Sequence, residues 1–97
     1  MKILVADKFE KVGLEGLSAL GCEVVNDATL GVDGIPGALE KLKPEVLVVR
    51  STKVPAATLA KADSVKLIVR AGSGVDNIDV GAATARNIRV CHCPGMN

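Results

Sequence analysis

Five short runs of apolar residues recur along the chain, and mixed polar segments separate them. Runs such as VLVV and KLIV are apolar at consecutive positions rather than at alternate ones. A strand with this pattern is buried on both faces, which is typical of a parallel sheet covered by helices on its two sides. We therefore predict strands at residues 3–6, 22–25, 46–49, 67–69 and 88–91.

The segments between these runs predict crossover helices. The first helix has one face of apolar residues and glycines, made by Phe9, Gly13, Gly16, Leu17 and Leu20. Gly21 supplies a C-terminal stop for this helix. A second helix is predicted over residues 34–42, with Asp33 as a possible N-cap and Pro44 as its terminator.

Two further helices are predicted from their caps. Pro55 begins the third helix, and Asp79 caps the fourth, at residues 80–84, which Asn87 can close in the left-handed conformation. Alternating strands and helices with right-handed crossovers form a doubly wound α/β domain. For 97 residues we expect one domain with a five-stranded, flavodoxin-like parallel sheet in the order 2-1-3-4-5.

Composition narrows the classes of function. With a net charge of +1 and a single aromatic residue, the chain lacks the basic stripe and the stacking platform of nucleic-acid-binding proteins. Its first apolar run ends at Asp7 and is too short for a signal peptide or a membrane span, so we expect a cytoplasmic protein. Cys22, Cys91 and Cys93 do not suit a disulfide framework. His92 would point away from its cysteine neighbours in an extended segment, which disfavours a metal site.

Candidate binding residues follow strands three and four. Ligands of open parallel sheets bind beyond the carboxyl ends of the strands. The two turns there carry hydrogen-bond donors, namely the side chains of Arg50, Ser51, Lys53 and Arg70 and the N–H groups of Gly72-Ser73-Gly74. Arginine binds carboxylate or phosphate through two parallel hydrogen bonds, and successive N–H groups form an anion nest. These turns therefore predict a site for a small anion.

The Gly-x-Gly turn has two other interpretations. Arg50 and Arg70 could instead pair with Asp76 or Asp79, while the glycines only permit a tight turn, and this alternative stays open. A dinucleotide loop is disfavoured, because G-x-G-x-x-G would need a glycine where this chain has Asn77.

Three motifs occur in order along the second half of the chain: Arg-Ser-Thr-Lys at 50–53, Arg-Ala-Gly-Ser-Gly-Val-Asp-Asn-Ile-Asp at 70–79, and Pro-Gly-Met-Asn at 94–97. In this order and spacing the chain resembles the D-2-hydroxyacid dehydrogenase family, strongly over residues 48–97 and more loosely over 1–43. The resemblance implies that residues 1–97 are the N-terminal part of a substrate-binding domain. The NAD-binding Rossmann domain of the family would then be absent from this chain.

The resemblance also implies roles for individual residues. Arg50 and Ser51 match positions near the phosphate end of the substrate. The family often reads Arg-Ser-Ala-Thr-Lys here, one residue longer, which leaves the roles of Thr52 and Lys53 open. His92 matches a structural position rather than the family's catalytic histidine, which would lie beyond this chain together with its glutamate partner.

The second motif is expected to hold the substrate carboxylate. The N–H groups of Ser73, Gly74 and Val75 match the carboxylate loop of the family, and Arg70 opens that loop. Asn97 matches the asparagine at which the chain enters the hinge toward the cofactor domain. No catalytic residue and no cofactor-binding residue is expected within the chain itself.

From this resemblance we expect a cytoplasmic, homo-oligomeric, NAD-dependent enzyme that converts 3-phospho-D-glycerate to 3-phosphohydroxypyruvate, the first step toward serine. The 97 residues alone are expected to be inactive. One alternative is a glyoxylate or hydroxypyruvate reductase of the same family. Another is a stand-alone module that binds a small anion or a partner chain without catalysis.

Overall fold

The computed structural model of the protein describes residues 2–7, 21, 23–71 and 76–92. The strands in these ranges are β1 (Lys2–Val5), β2 (Glu23–Asn26), β3 (Val46–Val49), β4 (Leu67–Arg70) and β5 (Arg89–His92). The helices are α1 (Gly31–Leu42), α2 (Ala56–Leu59) and α3 (Val80–Ala85). The helix predicted between β1 and β2 lies outside the described residues.

All strand pairs are parallel, and the sheet order is β2-β1-β3-β4-β5. The predicted doubly wound α/β fold and its strand order are therefore confirmed. Each predicted strand is found with its ends within one residue of the expected positions.

The central strands are buried on both faces, as their continuous apolar runs predict. In β3 all four residues are buried. Leu4, Leu47 and Ile68 lie side by side across three strands and share one core cluster with Ile35 and Leu39 of α1. Alternate strand residues face the other side of the sheet, where a second cluster consists of Ile3, Val5, Val46 and Val48.

Helix α1 begins earlier than the sequence predicts. Asp33 is not its N-cap, because the first turn closes when the Gly34 N–H donates to the Leu30 carbonyl at 2.9 Å, with no side-chain cap. Asp33 lies in that first turn instead, where a negative charge interacts favourably with the helix dipole. The helix ends at Leu42 as predicted, with Lys43 in the left-handed conformation just before Pro44.

The two shorter helices have the predicted caps. Helix α2 follows Pro55 directly. At the start of α3 the Asp79 carboxylate accepts a hydrogen bond of 3.0 Å from the Ala82 N–H, and beyond its end Asn87 is left-handed with φ 61°. A parallel bridge between Val54 and Ile78 joins the two segments that precede these helices. Within the described ranges, none of the helices is long and apolar enough to cross a membrane.

Candidate functional site

The predicted anion site lies at the carboxyl edge of the sheet, where the ladders of β1, β3 and β4 end together. The last bonds of these ladders are donated by the Ala6 N–H to Val48 and by the Ala71 N–H to Val49, at 2.9 and 2.8 Å. Asp7 therefore emerges beside the turn that follows β3. This turn, residues 50–53, is called the β3 turn below.

Asp7 binds the main chain of the β3 turn. Its Oδ2 accepts hydrogen bonds from the N–H groups of Arg50, Ser51 and Thr52, at 2.7, 3.1 and 3.0 Å. Its Oδ1 accepts a further bond of 2.5 Å from the Thr52 hydroxyl. One carboxylate at the end of β1 thus satisfies three successive donors that the end of β3 would otherwise leave unpaired.

The charge state of Asp7 follows from these contacts. Partial burial raises the pKa of its carboxyl group, but the hydrogen bonds from the Thr52 hydroxyl and from the N–H groups of Arg50, Thr52 and Ser51 lower it. The four hydrogen bonds outweigh burial, so the pKa lies below its ordinary value of 3.8. Asp7 is therefore ionised at neutral pH.

The carbonyl groups of the β3 turn are held from the opposite side. The Arg70 Nε donates to the Arg50 carbonyl at 2.8 Å, and the Asn77 Nδ2 donates to the Thr52 carbonyl at 2.8 Å. The Val54 N–H donates to the Asn77 carbonyl at 2.8 Å, which closes the end of the turn. The Asn77 Oδ1 is buried and has no donor among the described residues.

These contacts fix the main chain of the β3 turn and leave its polar side chains at the surface. Arg50, Ser51 and Lys53 are all exposed. Across the described ranges, no carboxylate forms an ion pair with the Arg50 guanidinium. Such an arrangement can bind a small anion through side-chain charges on a rigid turn.

Comparison with known proteins identifies the family to which the chain belongs. Residues 3–97 match the sequence profile described as D-isomer specific 2-hydroxyacid dehydrogenase, catalytic domain. The chain belongs to this family. It is 42% identical over 98 residues to the D-3-phosphoglycerate dehydrogenase of Archaeoglobus fulgidus and 44% identical over 97 residues to that of Methanocaldococcus jannaschii. These alignments cover 100% and 97% of this chain but only 18% of each relative.

Solved structures of D-2-hydroxyacid dehydrogenases and related proteins share the fold. The PH0520 protein of Pyrococcus horikoshii OT3 superposes with a TM-score of 0.87 at 27% identity, over 97% of this chain and 28% of that protein. The NAD+-bound 3-phosphoglycerate dehydrogenase of Entamoeba histolytica superposes with a TM-score of 0.83 at 30% identity, over 95% of this chain and 32% of that one.

The structure brings part of the predicted dehydrogenase site together. Arg70 ends β4 opposite Val49, so its side chain reaches the turn that Arg50 begins. Lys53 lies at the far end of the same turn. Ser73, Gly74, Val75 and Asn97 lie outside the described residues, and their roles stay predictions.

The alternative interpretation pairs the two arginines with Asp76 or Asp79. The Asp79 carboxylate accepts the Ala82 N–H as the cap of α3. The Arg70 Nε is directed to a carbonyl of the β3 turn. Among the residues that the structure describes, no ion pair joins Arg50 to Asp76 or Asp79.

The residues at the end of β5 reach the same edge. His92 lies opposite Arg70 in the register of β4 and β5. In the part of the chain that the structure describes, no three His, Cys, Asp or Glu side chains form a group that could hold a metal ion. Cys93, the last residue of the Cys-His-Cys segment, lies outside that part.

Asp7 is the residue that the sequence analysis missed. The sequence pattern assigns it no contact with the β3 turn, although a carboxylate directly after a central strand lies next to the unpaired N–H groups of the neighbouring turn. Thr52 and Asn77 were likewise assigned no contact with that turn. The signal that could have found Asp7 is its position one residue beyond the β1 ladder, beside the strand whose turn carries the predicted site.

Proposed function

We propose that this chain forms the substrate-binding part of an NAD-dependent enzyme that oxidises 3-phospho-D-glycerate to 3-phosphohydroxypyruvate. Family membership and the named relatives support a D-2-hydroxyacid dehydrogenase. The observation that carries the substrate assignment is the exposed Arg50 guanidinium on a turn whose main chain is fixed. A substrate with both a carboxylate and a phosphate needs two such donor groups.

In this proposal the chain binds and orients the substrate. Arg50, Ser51 and Lys53 bind the phosphate end, because a planar guanidinium matches two phosphate oxygens at once. The N–H groups of Ser73, Gly74 and Val75 bind the carboxylate, and Arg70 opens that loop. Asn97 contributes from the point at which the chain enters the hinge toward the cofactor domain. A separate domain would hold NAD through its own binding loop, and NAD would supply the hydride acceptor there.

The chain itself does not fit a dinucleotide, because its glycine turn has Asn77 where a third glycine is needed. We therefore expect the 97 residues alone to be inactive. Purified chain mixed with NAD and 3-phosphoglycerate should form no NADH. Turnover by the chain alone would contradict this assignment of roles.

Arg50→Ala in the full-length enzyme that carries this chain tests the substrate assignment. Its kcat/KM for 3-phosphoglycerate should fall about 10- to 100-fold, because a hydrogen bond to a charged group contributes about 1.5–3 kcal/mol. Glycolate has no phosphate, so its kcat/KM should fall less. Arg86→Ala, at the opposite edge of the sheet, is the matched control. Equal losses for both substrates would show that Arg50 does not bind the phosphate.

A second candidate is reduction of glyoxylate or hydroxypyruvate. It is favoured by one structural neighbour, the NADPH-dependent glyoxylate/hydroxypyruvate reductase of Sinorhizobium meliloti, with a TM-score of 0.75 at 26% identity. Those substrates carry no phosphate, so the second candidate predicts that Arg50→Ala has little effect. The same experiment therefore separates the two candidates.

We also propose that the enzyme is a cytoplasmic homo-oligomer. This proposal rests on membership of the dehydrogenase family. Light scattering of the full-length enzyme tests this, and a monomer at high concentration would contradict it.

A further inference from the structure

Three successive main-chain N–H groups converge on a single oxygen at the end of β3. The N–H groups of Arg50, Ser51 and Thr52 all lie within 3.1 Å of the Asp7 Oδ2. Convergent N–H groups of this kind make an anion-binding concavity. The protein supplies the anion itself, so a substrate cannot use these three donors while Asp7 is in place.

The Asp7 carboxylate also has little remaining capacity for other partners. Each carboxylate oxygen offers about two acceptor positions. The Asp7 Oδ2 accepts three N–H groups and is fully used, while its Oδ1 accepts the Thr52 hydroxyl. Its negative charge is therefore matched by donors. A substrate anion beside Arg50 consequently meets less repulsion than it would from a carboxylate exposed to the site.

The same turn is held by its carbonyl groups from two other segments. Arg70 binds the Arg50 carbonyl and Asn77 binds the Thr52 carbonyl. With Asp7 on the N–H side, the peptide groups around Arg50 and Ser51 have few alternative orientations. Removal of Asp7 alone would release three donors and allow these peptide groups to rotate.

We propose that Asp7 is a positioning residue of the substrate site, which fills the anion nest of the β3 turn so that the turn presents Arg50 and Ser51, rather than its N–H groups, to the substrate. This inference rests on the proposed function, because it assigns Asp7 a role in the same site. Asp7 acts through the turn and does not contact the substrate.

Kinetics of Asp7→Ala and Asp7→Asn in the full-length enzyme test the proposal. Asn keeps the shape and can accept the N–H groups through its carbonyl oxygen while its amide donates to Thr52. Asp7→Ala should raise the KM for 3-phosphoglycerate about 10- to 100-fold with a smaller change in kcat, as expected for a misplaced binding group. Asp7→Asn should raise KM less. An unchanged KM in Asp7→Ala would overturn the proposal.

Asp27→Ala is the matched control. Asp27 follows β2 as Asp7 follows β1, and its carboxylate also accepts a threonine hydroxyl and a threonine N–H, at 2.5 and 3.0 Å. These bonds are local, to Thr29, and do not reach the β3 turn. Asp27→Ala should leave KM unchanged. A KM that rose as much as in Asp7→Ala would show a general effect on stability and would overturn the specific role.

Rescue by a small carboxylate distinguishes this role from a general structural one, because acetate should restore the KM only if it can replace the Asp7 carboxylate in the nest. In Asp7→Ala, acetate should enter the vacated nest and lower the KM. In the wild type and in Asp27→Ala, acetate can act only as a competitor and should raise the KM. Acetate that raises KM in all three proteins would overturn the occupied-nest argument, even if Asp7→Ala were impaired.

Amide hydrogen exchange separates failure of this inference from failure of the proposed function. In the isotope-labelled chain, the amides of Arg50, Ser51 and Thr52 should lose protection in Asp7→Ala and regain it with acetate. If these changes occur while the full-length wild type has no activity toward 3-phosphoglycerate, the proposed function is wrong and the occupied nest stands. If the wild type and Arg50→Ala behave as expected but the exchange of these amides is the same in Asp7→Ala, only the role of Asp7 is wrong.

Discussion

The two edges of the sheet use polar side chains in different ways. At the carboxyl edge, Asp7, Arg70 and Asn77 bind main-chain groups of a turn that lies 20 to 45 residues away in sequence. At the amino edge, charged side chains pair with each other instead. These pairs are Lys61 with Glu40, Arg86 with Asp63 and Lys2 with Glu23.

The two edges therefore differ in function: side chains at the carboxyl edge fix the backbone of a turn, whereas those at the amino edge form ion pairs on the surface. A carboxylate that accepts several main-chain N–H groups holds one backbone conformation, because each bond is directional and charge-assisted. Exposed ion pairs between long side chains contribute about 0–1 kcal/mol, because solvent screens them and their side chains lose entropy. A rigid turn with exposed side chains suits ligand binding, so the carboxyl edge is the better candidate for the site.

The largest expected effect on stability comes from Asp7. Asp7→Ala removes four hydrogen bonds and leaves three N–H groups at the end of β3, so the free energy of unfolding should fall by about 2–3 kcal/mol. Urea unfolding of the chain, compared with Asp27→Ala, measures this. Equal losses in the two variants would show that the long-range hydrogen bonds of Asp7 stabilise the chain no more than the local ones of Asp27.

Acid should weaken the carboxyl edge through the same residue. Because the pKa of Asp7 is lower in the folded chain than its ordinary value of 3.8, its contribution is fully present above pH 3.8. It is lost as the pH falls through the lowered pKa of the folded state. In Asp7→Asn the free energy of unfolding should therefore fall less steeply with decreasing pH below about pH 4. Unfolding midpoints between neutral and acidic pH, measured beside Asp27→Asn, check this, and an unchanged slope in Asp7→Asn would contradict it.

Asp27 is a demanding control for that experiment. The Thr29 hydroxyl and the Thr29 N–H also lower the pKa of Asp27. Its carboxylate is fully exposed, so solvent screens the interaction and its contribution to the acid slope should be the smaller of the two. A larger flattening in Asp27→Asn would show that local hydrogen bonding, and not the link between β1 and the β3 turn, dominates the response to acid.

Asn77 should have a smaller effect than Asp7. Asn77→Ala removes the bond from its Nδ2 to the Thr52 carbonyl, but it also removes a buried Oδ1 that has no donor among the described residues. The two effects oppose each other, so the net loss should be about 1 kcal/mol. Urea unfolding measures it. A loss larger than that of Asp7→Ala would show that Asn77, before α3, stabilises the turn more than Asp7, after β1.

Local rules predicted most of the fold. The continuous apolar run of β3 indicated burial on both faces, and Asp79 and Asn87 delimit α3 through contacts within a few residues. The predicted start of α1 was wrong. The N-cap is Leu30, which has no capping side chain, and the predicted N-cap Asp33 lies three residues later.

The candidate site was predicted only in part, because its supports are not local. Arg50 and Arg70 were placed at one edge by the rule for parallel sheets, and the structure joins them through the Arg50 carbonyl. The contacts of Asp7 span 43 to 45 residues and depend on the register between β1 and β3. No periodicity or spacing near Asp7 encodes that register, so the support of the turn could be found only once the strands were aligned.

The smallest effects are expected at the amino edge. Lys61→Ala should change the free energy of unfolding by less than about 1 kcal/mol, because Lys61 and Glu40 are 54% and 56% exposed although their charged atoms lie 3.0 Å apart. A double-mutant cycle with Glu40→Ala, measured in urea at low and high salt, isolates the pair, and its coupling should shrink as salt screens the charges. Since the pair fixes no main-chain group, amide exchange in the β3 turn should not change. A coupling that matched the loss in Asp7→Ala would show that the two edges stabilise the chain alike, and the carboxyl edge would then be distinguished only by the side chains it exposes.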